Sequence, residues 1–180
     1  IGYLPDTPPL YNEMTVQGYL EYVALLKDVP KSNVKSAVDV VMQKTNIGDV
    51  RDVALGALSH GYRQRVGISQ ALVHNPKVLI LDEPINGLDP VQIVEMRDLI
   101  VSLKGDHTVV LSSHILSEIT RTCDRVLIID EGRLVAEGAE SELQTEMARS
   151  MKLTCDIERS DDGLTSTLKG LGGVVNVEPS

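Results

Sequence analysis

The sequence has no Trp and no Phe, and aromatic residues make up only 3% of its 180 positions. Its core must therefore be built from Leu, Ile, Val and Ala side chains. Lys and Arg number 17 against 26 Asp and Glu, which gives a formal net charge of -9. Because nucleic-acid binding relies on clustered Lys and Arg that neutralise phosphates, this balance argues against a nucleic-acid partner.

Cysteine is also scarce. Cys123 and Cys155 lie far apart and form no C-x-x-C pair, so free thiols in a reducing compartment, by default the cytosol, are expected rather than a disulfide or a zinc site. The chain shows neither an apolar run long enough to span a bilayer nor a secretory leader. We therefore expect the chain itself to be soluble and any membrane contact to need a partner.

What the sequence does contain is enough apolar residues, 42%, for one globular domain, alone or with a small appendage. Ile1 is not an initiator methionine, and Ile1-Gly2-Tyr3-Leu4-Pro5 reads as the end of a strand that enters a loop. We therefore expect the chain to be a piece of a longer protein.

The first sixty residues are predicted to be mostly helical. Thr15 can cap a helix that ends at Pro30, and Ser32 can cap a second helix that Gly48 closes. A third helix is predicted over 61–74, before an Asn-Pro pair breaks it.

From position 78 the pattern changes to alternating strands and helices, which predicts an α/β fold with half of a doubly wound sheet. The predicted elements are strands over 78–81, 108–111, 125–129 and 133–136, helices from Pro90 and over 115–122, and a short helix through 142–143. A composition shift near Ser150 predicts a separate βαβ-like module over 151–180.

The run Val78-Leu79-Ile80-Leu81 stops on two adjacent carboxylates, Asp82 and Glu83. Four large aliphatic residues predict a strand buried on both faces, and its acidic end then emerges at the sheet edge where α/β proteins bind ligands. One carboxylate could hold magnesium while the other orients or deprotonates a water, as phosphoryl transfer requires. A strand that simply ends at a polar surface gives the same pattern.

The segment Leu58 to Arg65 lies at the start of the third helix. Small residues there expose backbone N–H groups and the positive end of the helix dipole, which favours phosphate binding. The alternative is an ordinary N-cap at Ser59, with Arg63 and Arg65 as solvated surface charges.

Two further segments follow the acidic pair. Asn86-Gly87-Leu88-Asp89-Pro90 is typical of a turn and a helix start, and Ser112-Ser113-His114 ends the next strand. A lone His at such a place is more often a satisfied polar residue than a catalyst. The order and spacing of all four segments are much more specific than any one of them.

Together these segments resemble the nucleotide-binding subunit of an ABC transporter over about residues 1 to 145. Leu58 to Arg65 matches the signature motif, Val78 to Glu83 the Walker B strand, Gly87-Leu88-Asp89 the D-loop and His114 the switch histidine. The resemblance implies a truncated ABC ATPase domain over 1–147. Its parts would be an inserted α-helical subdomain over 10–74 and half of a RecA-like P-loop NTPase core over 75–137, followed by a ferredoxin-like fragment over 151–180.

The resemblance also implies roles for individual residues. Asp82 would act on Mg²⁺ through water, Glu83 would be the general base, and His114 would contact the γ-phosphate of ATP. Asp89 would touch a second nucleotide-binding subunit in a head-to-tail dimer, and the signature residues would close on the ATP held by that subunit. The residues implied in cofactor binding are Ser59, His60, Gly61, Tyr62, Asp89 and Asp6.

Three features depart from the common pattern of the family. The Walker A loop is absent and no Gly-Lys pair occurs, so we expect the intact protein to be an ATPase and this chain alone to be inactive. Asp6 stands at the usual glutamine position, which leaves its role open. His60 and Tyr62 replace Gly and Gln of the commonest signature, and the form Gly-Tyr-Arg-Gln-Arg resembles the branch that serves type-2 exporters.

The function implied is that of the ATP-hydrolysing subunit of a bacterial ABC exporter. It would act through a separate transmembrane permease, as a cytoplasmic protein at the inner face of the membrane. Residues 8–14 then either receive a coupling helix of the permease or form a proline-rich turn. The alternatives are an ABC ATPase working on DNA or ribosomes, which the lack of heptads and basic patches disfavours, and a non-catalytic chain that contributes only a signature face or a regulatory module.

Overall fold

A computed structural model describes residues 1–139 and 142–143. Contacts group residues 1–140 into one compact unit and place 141–180 in a second. Positions 142 and 143 are helical, as predicted. The βαβ-like module predicted over 151–180 lies outside the described residues.

Apart from three short 3₁₀ helices and the helical positions 142 and 143, the regular structure of the described residues consists of five α-helices and five strands. The helices are α1 (Val16–Leu26), α2 (Val34–Lys44), α3 (His60–Leu72), α4 (Pro90–Ser102) and α5 (Leu116–Thr122). The strands are β1 (Gly2–Leu4), β2 (Val78–Leu81), β3 (Thr108–Leu111), β4 (Val126–Asp130) and β5 (Arg133–Gly138). The predicted order of elements is therefore confirmed.

The caps of the first two helices agree with the sequence only in part. Thr15 caps α1, where its hydroxyl accepts a hydrogen bond from the Gly18 N–H at 3.1 Å. The prediction that Ser32 caps α2 is wrong, because its hydroxyl bonds to the neighbouring Asn33 side chain within a 3₁₀ turn. The prediction that Gly48 closes α2 is also wrong, since that helix already ends at Lys44.

Helix α3 packs against the parallel sheet. Nine of its residues are buried, so it lies inside the unit rather than on its surface. The buried Gln70 side chain donates a 2.7 Å hydrogen bond to the Tyr3 carbonyl of β1 and so ties the helix to the sheet. Because the signature-like segment, Leu58 to Arg65, forms the start of α3, this packing fixes where that segment lies.

Strands β1, β2 and β3 form a parallel sheet in that order, with Leu4, Leu81 and Leu111 in register at their carboxyl ends. This confirms a parallel sheet for these three strands. Strands β4 and β5 form a separate antiparallel pair among the described residues, so they do not extend that sheet. The antiparallel pairing has a local cause: Glu131 and Gly132 both adopt positive φ, which folds β5 directly back on β4.

The prediction that β2 is buried on both faces is wrong. Leu79 and Leu81 are fully buried, whereas Ile80, which points to the other face, is 36% exposed. Its neighbours in register, Tyr3 and Val110, are exposed as well. Within the described residues, the helical layer therefore covers one face of the sheet, and the apolar run of β2 carries no signal of that asymmetry.

Candidate functional site

The carboxyl ends of the three parallel strands bring the predicted site residues to one edge of the sheet. The ladder continues one residue past the strands: the Asp82 N–H donates to the Leu4 carbonyl, and the Ser112 N–H donates to the Leu81 carbonyl, each at 2.9 Å. Asp6 lies exposed in the loop that follows β1 at the same edge. The sequence thus correctly predicts that the acidic pair ends a strand at a sheet edge.

A hydroxyl group connects the two carboxylate residues at this edge. Ser112 Oγ donates a 2.6 Å hydrogen bond to Asp82 Oδ1 and accepts one at 3.0 Å from the Glu83 N–H. Sequence reasoning identified Ser112 only as part of a strand end. The signal that could have found it is its position one residue beyond β3, beside the acidic end of β2 in a parallel sheet.

Glu83 and His114 contact each other directly. The His114 Nδ1 atom lies 3.1 and 3.2 Å from the two carboxylate oxygens of Glu83, and because a carboxylate only accepts, Nδ1 is the donor. The Glu83 side chain is 23% exposed and the His114 side chain 67%. The predicted base and the predicted switch histidine therefore form one pair, with the imidazole on the solvent side.

The signature-like segment begins α3 as predicted. Ser59 is the N-cap, and its hydroxyl accepts a 3.4 Å hydrogen bond from the Tyr62 N–H, while Ser59 and His60 remain exposed. Gly61 is buried, and a Cβ there would lie only 2.8 to 3.0 Å from the side-chain atoms of Gln92 on α4. Glycine therefore allows the start of α3 to lie close against α4.

The Tyr62 hydroxyl bonds to an exposed residue of the 3₁₀ helix Gly48–Val50. It donates a 2.6 Å hydrogen bond to Asp49 Oδ2, and this bond is the main reason that the pKa of Tyr62 is raised. Asp49 is a partner that sequence reasoning missed, and no local pattern points to it because it lies 13 positions away. Among the signature residues, Ser59 and His60 thus remain the ones with exposed side chains.

The signature-like segment also contacts the D-loop-like turn. His60 Nε2 donates a 3.0 Å hydrogen bond to the Asn86 carbonyl, and the next residue, Gly87, has φ +71°. Asp89 caps α4, where its Oδ1 accepts from the N–H groups of Val91 and Gln92 at 3.0 and 2.9 Å. The predicted turn and helix start are confirmed.

The alternative in which Arg63 and Arg65 are solvated surface charges is wrong. Arg63 donates to the Asn12 side chain at 3.0 Å and to the Leu55 carbonyl at 2.9 Å. Arg65 is only 13% exposed and bonds to the Thr45 carbonyl at 3.0 Å and to Glu95 at 2.7 Å. Both guanidinium groups fix α3 to the elements around it.

The site residues thus form two groups. Asp82, Glu83, Ser112 and His114 form a hydrogen-bonded set at the sheet edge, whereas Ser59 to Tyr62 adjoin the turn at Asn86. Within residues 1–139 and 142–143, no hydrogen bond or ion pair links Ser59 to Glu83. The same described ranges contain no cluster of three or more metal-ligating side chains and no helix long and apolar enough to cross a membrane.

Comparison with known proteins decides the family. The family profile described as ABC transporter matches residues 1–86. The ATP-binding protein YxlF of Bacillus subtilis is 30% identical over the whole chain, and the bacitracin transport ATP-binding protein BcrA of Bacillus licheniformis is 42% identical over 76% of it. The chain belongs to the ABC transporter ATP-binding family. It spans 61% and 44% of the length of these two relatives.

A solved structure gives the same result for the fold. The ABC protein cbiO1 from Clostridium perfringens, part of the transporter complex cbiONQ, matches with a TM-score of 0.73 and 31% identity. The match covers 81% of this chain and 59% of that protein. The α/β unit is therefore part of a P-loop NTPase fold, and the predicted ABC resemblance is confirmed. A domain of this family is a nucleotide-binding domain.

Proposed function

We propose that the intact protein is the ATP-hydrolysing subunit of a bacterial ABC exporter, and that residues 1–147 form part of its ATPase domain. The observation that carries this proposal is the hydrogen-bonded set at one sheet edge, in which two carboxylates from β2 meet a hydroxyl and an imidazole that follow β3. Phosphoryl transfer needs such an arrangement, with one group near the metal and another near the attacking water.

Glu83 is the proposed general base. Its carboxylate emerges at the sheet edge and accepts from His114 Nδ1, so the imidazole orients it. His114 is largely exposed, and its second ring nitrogen, Nε2, is the atom that would contact the γ-phosphate. Glu83 can then take a proton from a water placed between its carboxylate and that phosphate.

Asp82 is the proposed magnesium residue. Carboxylate oxygens are what Mg²⁺ prefers, and this ion usually binds through one or two carboxylates plus phosphates and waters, which suits the oxygen donors at this edge. When bound, Mg²⁺-ATP supplies the phosphoryl group and neutralises the charge that develops on it. Asp6 lies exposed at the same edge, and in this proposal its carboxylate would hold a metal-bound water.

The exposed signature residues point to a second subunit. Ser59 and His60 expose a hydroxyl and an imidazole at the N-terminus of α3, and Gly61 and Tyr62 follow them. They make no hydrogen bond to Glu83 among the described residues, so we assign them to the ATP of another nucleotide-binding subunit in a head-to-tail dimer. Asp89 adjoins them through its turn and contacts that subunit.

Transport requires a permease partner. BcrA is named for bacitracin transport, and cbiO1 is described as part of a transporter complex. By this likeness the protein acts at the inner face of the cell membrane on a separate permease, and residues 8–14 with the exposed Tyr11 receive that partner. The permease selects the substrate.

The experiment is co-purification with an ATPase assay. The product of the whole gene is expressed with a tag, with and without the membrane protein encoded beside it, and extracted in mild detergent. We expect the untagged membrane protein to co-purify and the complex to hydrolyse ATP. A whole-gene product that binds no such protein and releases no phosphate from ATP would contradict the proposal.

A further inference from the structure

The Ser112 hydroxyl bonds to both acidic residues that follow β2. Its Oγ donates to Asp82 Oδ1 at 2.6 Å, a length typical of a hydroxyl bonded to a charged carboxylate. The same oxygen accepts from the Glu83 N–H at 3.0 Å. A hydroxyl has one proton to donate and two lone pairs to accept with, so both bonds form at once.

The backbone of Glu83 makes the second bond important. Glu83 has φ +48°, in the left-handed region that non-glycine residues seldom adopt. Its carbonyl accepts from the Asn86 N–H at 3.1 Å, which closes a turn directly after β2. The bond from its N–H to Ser112 holds the peptide group before the Glu83 Cα, while the bond to Asn86 holds the peptide group after it. This geometry decides in which direction the Glu83 side chain leaves the chain.

The position of Ser112 is itself fixed by the sheet. Its N–H donates to the Leu81 carbonyl at 2.9 Å, which continues the β2–β3 ladder. The neighbouring Ser113 behaves differently, because its Oγ accepts from the Ile115 N–H at 3.1 Å and serves only its own turn. The hydroxyl at 112 is therefore held by β3 while it bonds to both residues at the end of β2.

We propose that Ser112 is a positioning residue that sets the relative orientation of the Asp82 and Glu83 carboxylates. The inference rests on the proposed function, in which these carboxylates face magnesium and water. With Asp82 Oδ1 bonded to Ser112, Oδ2 is the oxygen without a protein partner among the described residues, and it is the one that would accept from a magnesium-bound water. Loss of the hydroxyl frees Asp82 to rotate and removes the partner of the Glu83 N–H.

The test compares three variants of the whole-gene product: Ser112→Ala, Ser112→Thr and, as a matched control, Ser102→Ala. The Ser102→Ala change removes a hydroxyl hydrogen bond of the same length, 2.6 Å to the Leu99 carbonyl, at the end of α4. The readouts are kcat and KM for ATP, the affinity for Mn²⁺ measured by electron paramagnetic resonance with a non-hydrolysable ATP analogue, and the thermal midpoint. Outer partners of metal ligands are typically worth about 10 to 100-fold in metal affinity or activity.

We expect Ser112→Ala to lower kcat and Mn²⁺ affinity by about 10-fold or more with little change in KM, and Ser112→Thr to restore both to within about 3-fold. Ser102→Ala should leave both unchanged. Wild-type kcat and Mn²⁺ affinity in Ser112→Ala would overturn the inference, as would equal losses in the Ala and Thr variants. Glu83→Gln is measured in parallel. If both Glu83→Gln and Ser112→Ala keep full ATPase activity, the proposed function fails. If Glu83→Gln loses activity and Ser112→Ala does not, only the role of Ser112 is refuted.

Discussion

Replacing Tyr19 by Phe should change the free energy of unfolding in opposite directions at neutral and at high pH. Its side chain is 2% exposed, and its hydroxyl donates to the Pro9 carbonyl at 3.2 Å. Burial is the main cause that raises the pKa of Tyr19 from 10.0 to about 12, and Tyr11 adds to it. Below pH 10 the phenol is neutral in both states, so its full contribution is present; as the pH rises from about 10 to 12, only the unfolded chain loses the proton and stability falls.

The magnitudes follow from these contacts. The hydrogen bond to Pro9 is worth about 1 kcal/mol, so Tyr19→Phe should be less stable than wild type by about that amount at pH 8. Since a tenfold difference in proton affinity is worth about 1.4 kcal/mol, deprotonation removes at most about 2.7 kcal/mol from the wild type. The two stability curves should therefore cross between about pH 10.5 and 11, and at pH 11.5 the variant should be the more stable protein by about 1 kcal/mol.

The assay is urea unfolding of the whole-gene product followed by circular dichroism at pH 8, 10 and 11.5. Tyr22→Phe is the matched control, because Tyr22 is 40% exposed and its variant should stay within about 0.5 kcal/mol of wild type at pH 8. A difference between wild type and Tyr19→Phe that keeps its sign and size up to pH 11.5 would refute the reasoning.

Three further predictions concern packing around the site, each measured by chemical unfolding. Leu79→Ala removes a fully buried side chain of β2 and should lower the free energy of unfolding by about 2 to 5 kcal/mol. A decrease of less than about 1 kcal/mol would contradict the burial of Leu79. Arg65→Ala should lower the free energy of unfolding by about 2 kcal/mol because it leaves the Thr45 carbonyl without this hydrogen bond. Its control is Arg125→Ala, which should lower it by at most about 0.5 kcal/mol because the Arg125 side chain is 73% exposed. Gly61→Ala should destabilise the Gln92→Ala protein by about 1 kcal/mol less than it destabilises the wild type, because the Gln92 side chain then no longer blocks the new Cβ. Equal losses of stability in the two proteins would argue against that contact.

The sequence predicts the chemistry-bearing end of β2 well because the signal is local. An aliphatic run that stops on two carboxylates needs no distant contact to be read, and the parallel order of strands then places Asp82, Glu83 and His114 at one edge. Membership of the ABC family follows from the order of four short motifs, and the matching relatives confirm it.

What the sequence does not predict depends on contacts between distant segments. The exposure of Ile80 depends on which layers cover the sheet, and an aliphatic run looks the same in either case. Arg65 looks like a surface charge until Glu95, thirty residues away, is brought beside it. The contacts of Ser112 could not be predicted for the same reason. A serine after a strand is common, and its hydroxyl gains two partners only because the end of the neighbouring strand β2 lies beside it.

The most direct test of the central claim is the effect of Glu83→Gln on ATP hydrolysis and on ATP binding in the whole-gene product. Glu131→Gln is the control, because Glu131 has the same change of side chain and a similar positive φ of 47° at the β4–β5 turn. If Glu83 activates the attacking water, Glu83→Gln lowers kcat by about 100-fold or more while the Kd for ATP changes by less than about 3-fold. A Glu83→Gln protein that keeps kcat within a few-fold of wild type and of Glu131→Gln would contradict the assignment of this sheet edge as the hydrolytic site.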